Sequence, residues 1–169
     1  TVVLTYLFAE TLFNDRWTSF LSCAILILPG FFVDYARRGM VDVPLTFFVA
    51  AALFCFVKAE ENPRWHLLFG LFTAFAVLTK SALGFFPLVI AFAYRILARP
   101  GSPVAGRDFY FWVGAVIAAL LGSSWYIVNI LQRGDSFIQW HFGWLLFHRA
   151  VTGEDAVGVA SKSNPLFFL

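Results

Sequence analysis

From Leu67 to Leu97 the chain runs for about 31 residues in which only Lys80 and Arg95 carry charge. One straight helix over that stretch would measure about 46 Å at roughly 1.5 Å per residue. The hydrocarbon core of a bilayer is about 30 Å thick. Lys80 stands near the middle, followed by Ser81, Gly84 and Pro87. The stretch is therefore expected to fold as a helical hairpin, with arms Leu67–Thr79 and Leu83–Leu97 and Lys80 at the tip.

The same reasoning divides the rest of the chain. Thr1–Phe13 reads as the tail of one span, closed by the polar turn Asn14-Asp15-Arg16. Trp17–Val33 reads as a second span and Pro44–Val57 as a third, with the charged connection Asp34–Asp42 between them. Pro44 falls in a first helical turn, where a missing N–H costs little. Lys58–Arg64 is a short polar loop, Arg99–Arg107 a Pro/Gly-rich one, and Phe109–Leu131 a further full span. From Gln132 to Asn164 charges, His and Gly return, while Trp140, Trp144 and Phe147 recur at helical spacing. That pattern predicts an amphipathic helix lying in the membrane interface. The expected fold is an all-α integral membrane bundle of about five to six spans, with the interfacial helix in an outer loop. Thr1 lies inside an apolar run and Pro165–Leu169 looks like the opening of another span, so 1–169 reads as a single membrane domain cut at both ends.

Composition agrees. The residues are 60% hydrophobic and 13% charged, against about 25% charged in soluble domains. No basic run suggests nucleic acid. Cys23 and Cys55 lie in apolar runs as small buried residues, and no zinc-type Cys/His spacing is present.

Alternating spans place Arg16, Lys58, Arg64, Arg95, Arg99 and Arg107 on one side of the membrane. Arg37, Arg38, Lys80, Arg133, Arg149 and Lys162 fall on the other. The positive-inside rule is thus a tie and does not orient the chain. The second side nevertheless differs in kind, because it adds Asp42, His141 and His148 close to spans. Ionisable groups at membrane depth are costly and point to function. Asp42, held at a span mouth by Pro44 and with Arg37 nearby, could bind a metal or orient a hydroxyl nucleophile; the loop also reads as a plain connector with Arg37 and Arg38 on lipid phosphate. Lys80 suits a phosphate or pyrophosphate, or simply snorkels to the interface. His141 and His148 share a helix face but lie two turns apart, about 10 Å, too far for one ion. Headgroup contact is the plainer reading for that pair, and Arg149 is the better phosphate candidate.

Ala36–Phe48, with its Arg37-x-x-x-x-Asp42-x-Pro44 core, resembles a segment of the polyprenyl-phosphate-dependent glycosyltransferases of the type C membrane fold. That family includes the bacterial aminoarabinose transferases of lipid A and the protein O-mannosyltransferases. Val77-Leu78-Thr79-Lys80, followed by Gly84 and Pro87, is similar to the family's Leu-Thr-Lys-Gly hairpin. Ser124-Trp125-Tyr126 resembles its Pro-Trp-Tyr segment, and Phe142-Gly143-Trp144 through His148, Arg149 and Gly153 resembles the loop helix that follows. The chain departs from the pattern at Ser81, where Gly is usual, and at Ser124, where Pro is usual. Leu145-Leu146-Phe147 replaces a Glu-His pair often found there.

The resemblance implies a membrane enzyme that moves a sugar from a polyprenyl-phosphate donor to a lipid, glycan or protein acceptor. Its active face would be periplasmic, on a bacterial inner membrane. Asp42 matches the family's second acidic position and would be catalytic, placing the acceptor or a divalent metal. Lys80 matches the lysine that faces the donor phosphate; Arg149, Arg37, Arg38, Tyr126 and His148 would complete substrate binding. The principal acidic pair of the family lies upstream of Thr1, so this segment alone is expected to be inactive. No cofactor beyond a divalent metal is implied. A polytopic transporter or flippase segment, or a catalytically inactive membrane scaffold, is the competing reading.

Overall fold

A computed structural model describes residues 1–97 and 108–138. The described residues are helical, with no strand among them. In chain order the helices are α1 (Val2–Phe13), α2 (Arg16–Ile27), α3 (Phe31–Arg37), α4 (Asp42–Lys58), α5 (Trp65–Lys80), the 3₁₀ segment η1 (Ser81–Phe85), α6 (Phe86–Leu97), α7 (Asp108–Arg133) and α8 (Asp135–Ile138). Two compact units are distinguished, one of Thr1–Ser124 and a second starting at Trp125.

In the first unit α4 and α5 form the most extensive pair. α1 packs on α2 and α4, and α6 packs on α4 and η1. The buried faces are built largely from small residues: Ala51, Ala52 and Cys55 of α4, Thr73, Ala74 and Ala76 of α5, Ala91 of α6 and Ala118 of α7. Phe56, Phe69 and Phe111 fill the space between them, with Phe56 and Phe69 at 5.5 Å and Phe69 stacked on Phe111 at 6.3 Å. Large apolar side chains lie on the outside instead; Trp17 is 81% exposed and Leu28 79%. A soluble protein inverts that arrangement. Small residues inside and bulky apolar residues outside are what helices packed in lipid require, since lipid removes the drive to hide Leu and rewards close backbone approach.

α7 is long and apolar enough to cross a membrane, and only 22% of its most apolar stretch is buried. At 26 residues it measures about 39 Å, more than the roughly 30 Å it has to cover. α1, α5 and α6 are shorter apolar helices.

The expected span Trp17–Val33 is not one straight helix. α2 stops at Ile27 and α3 restarts at Phe31, bent from it by 61°. Pro29 contributes no N–H to the ladder, and Gly30 takes φ 74°, a conformation cheap only without a Cβ. The helix then continues through Asp34 to Arg37, so half of the expected loop Asp34–Asp42 is helical. The hairpin at Lys80 is found as expected: α5 ends on Lys80, and α6 returns until Tyr94 reaches Glu60, just past the end of α4. The loop Arg99–Arg107 and the expected interfacial segment Gln132–Asn164 beyond Ile138 lie outside the described residues; Gln132 and Arg133 close α7 and Asp135–Ile138 form α8.

Candidate functional site

Asp42 is the first residue of α4 and Lys80 the last of α5. The two helices are antiparallel and joined by a short turn, so the start of one lies beside the end of the other. Lys80 Nζ donates to Asp42 Oδ1, closing an ion pair between residues 38 apart in sequence. Each side chain is 43% exposed, so the pair is open to solvent and ligands. α4 begins with a capping residue, Val41, that offers no side-chain acceptor. The Asp42 carboxylate therefore also serves as the negative charge favoured at a helix N-terminus.

The position of Lys80 is set from behind. η1 folds back on the last turns of α5 so closely that a Cβ on Gly84 would overlap the backbone of Ala76 and Val77. Val77 is 1% exposed, and its side chain lies 3.1–3.4 Å from the place where a Cβ on Gly122 of α7 would stand. Val77 is thus clamped between two glycines, three residues before Lys80. Lys80 itself leaves helical geometry at φ −147°, ψ 48°.

Not every expected site residue joins this pair. Arg37 closes α3 and Arg38 caps it, both exposed, and neither pairs with Asp42 among the described residues. Among the described residues the cation paired with Asp42 is Lys80, because α5 ends level with the start of α4. Tyr126 lies in the second unit, its ring 5.2 Å from that of Trp125. His148 and Arg149 lie outside the described residues. No group of three or more His, Cys, Asp or Glu side chains comes together among the described residues.

The opposite end of the first unit holds ordinary connectors. Lys58 pairs with Glu61 at 2.7 Å, and the Arg95 guanidinium lies 4.4 Å over the Phe111 ring. The charged pair at the Asp42 end stands apart from these by joining two helix termini across a long stretch of sequence.

An all-helical membrane protein with an accessible carboxylate–ammonium pair at one helix end is the class defined so far. The family of dolichyl-phosphate-mannose-protein mannosyltransferases matches the chain over residues 1–146, and the chain belongs to that family of glycosyltransferases. A relative from Aquifex aeolicus (strain VF5), described as an uncharacterized protein, is 31% identical over 144 residues, covering 82% of this chain. The chain spans 28% of that relative's length. No solved structure matches it.

Proposed function

We propose that this chain is part of a membrane glycosyltransferase that moves a sugar from a polyprenyl-phosphate donor to an acceptor on the outer face of a bacterial cell membrane. The pairing of Asp42 with Lys80 is the observation that carries this reading, taken together with family membership. Residues 1–169 act in it as one transferase-like domain of about five to six spans, the shorter apolar helices and the bent α2–α3 pair crossing beside α7. Lys80 binds the donor phosphate, assisted by Arg149, Arg37 and Arg38. Tyr126 and His148 line the substrate path. Asp42 places the acceptor or a divalent metal. The family description favours a protein among the acceptors, and the Aquifex relative supports a bacterial setting.

The chemistry is a single displacement at the anomeric carbon. The acceptor oxygen forms its bond to that carbon as the bond to the phosphate oxygen breaks, and the phosphate leaves with the bonding electron pair. A base elsewhere in the full protein takes the acceptor proton. Charge grows on the departing phosphate, and a preplaced ammonium there contributes a large share of the rate.

In the full-length protein, Asp42→Asn and Lys80→Ala are each expected to lose sugar transfer from a labelled polyprenyl-phosphate donor while still inserting in the membrane. Transfer at the wild-type rate by either variant would overturn the assignment.

A further inference from the structure

Lys80 does not wait empty for a phosphate: its ammonium is already engaged by Asp42. A ligand phosphate must therefore compete with a carboxylate that is part of the protein. We propose that Asp42 is an internal competitor for the donor phosphate, so that Lys80 is handed from Asp42 to the phosphate as transfer proceeds and is taken back as the lipid phosphate leaves. This inference rests on the proposed role of Lys80.

The two partners are unequally placed for such an exchange. Asp42 sits at the N-terminus of the 17-residue helix α4, whose dipole stabilises a carboxylate after its ammonium has gone. Lys80 sits at the C-terminus of α5, whose dipole retains a cation there whichever anion it faces. Neither residue has to leave its helix end for the partner to change. Both are 43% exposed, and ion pairs so exposed are weak enough for a ligand to open.

Charge gives the exchange a direction. A sugar-linked phosphodiester carries one negative charge, matching the carboxylate it displaces. Once the sugar has gone, the phosphate monoester carries close to two. The pull on Lys80 away from Asp42 thus grows along the reaction coordinate, which strengthens binding in the transition state more than in the ground state. As the ammonium leaves, Asp42 becomes free to accept a hydrogen bond from the acceptor. On product release the carboxylate reclaims Lys80 and lowers the affinity for the lipid phosphate. Asp42 so sets how long the spent carrier stays.

The test is equilibrium binding of polyprenyl phosphate to the full-length protein in lipid nanodiscs, with uncharged polyprenol as the control. Asp42→Asn is expected to bind polyprenyl phosphate more tightly than wild type, by up to about fivefold, with no change for polyprenol. Asp42→Ala should do the same and guards against an effect peculiar to Asn. Lys80→Ala should bind the phosphate more weakly. If Lys80→Ala weakens binding but both Asp42 variants bind as wild type or more weakly, the exchange is overturned and the role of Lys80 stands. If Lys80→Ala binds as wild type, the proposed role of Lys80 fails, and the exchange with it.

Discussion

Gly70 of α5 and Gly114 of α7 meet backbone to backbone: a Cβ on Gly70 would overlap the carbonyl of Gly114, and one on Gly114 would overlap the carbonyl of His66. The crossing brings α7 against the buried face of α5 right beside Phe69, which stacks on Phe111. No flexible side chain is available to move aside, because each collision is with a main-chain atom.

Gly70→Ala and Gly114→Ala are accordingly expected to separate α5 from α7 and to destabilise the protein by about 1–3 kcal/mol, as overpacking does elsewhere. Thermal unfolding of the full-length protein in detergent measures this. Ala at Gly39, where nothing lies within 4 Å but φ is positive, strains only a turn and serves as the comparison. A smaller loss at Gly70 than at Gly39 would show that the helices do not cross there.

Gly84→Ala should act on the site without touching it. The added methyl meets the backbone of Ala76 and Val77, so η1 must lift from α5 and carry Lys80 away from Asp42. Transfer activity is expected to fall by tenfold or more, on the order of the change that small misplacements of positioned groups cause. A loss of activity with polyprenyl-phosphate affinity unchanged would show that Gly84 does not position Lys80.

Asp15 gives the first unit a dependence on acid. It caps α2, accepting from the Thr18 hydroxyl at 2.6 Å and from the Thr18 N–H at 2.9 Å. The Thr18 hydroxyl, followed by that N–H, holds the carboxyl below its ordinary value, with the Trp17 N–H adding a smaller share. A group whose folded pKa is depressed contributes its full stability above the unfolded value and loses it as pH falls through the folded one. The contribution of Asp15 is therefore complete above about pH 4 and disappears below it. Asp15→Asn, which keeps a capping oxygen but cannot titrate, should show a shallower loss of thermal stability between pH 4 and pH 2.5 than wild type. Parallel profiles would mean that Asp15 is not what titrates.

Much of this was readable in the chain itself. A lone Lys inside an apolar stretch too long for one span placed the hairpin at Lys80, because a helix of that length has nowhere to go in a bilayer. The polar turn at Asn14–Arg16 and the full span before Gln132 were equally legible, each being a local change of polarity. The order of the Asp42, Lys80 and Tyr126 segments pointed to the family that the comparisons bear out. The break at Pro29-Gly30 was legible in principle. Hydropathy alone does not mark it, because apolar residues continue on both sides and hydropathy does not register a change of direction.

What needed the tertiary structure was adjacency. Sequence spacing put Asp42, Arg37 and Lys80 on one side of the membrane but could not choose among partners. That choice follows from where α4 starts and α5 stops once their small-residue faces pack, and it pairs Asp42 with Lys80. The glycine contacts at Gly70, Gly84 and Gly114 were invisible for the same reason: a missing side chain leaves no mark on composition, and its purpose appears only when another backbone fills the space. Local polarity is a property of the residues in order, so the sequence alone marked the apolar stretches and the polar turns between them. Contact between segments depends on how closely their backbones approach, and only the folded helices decided that.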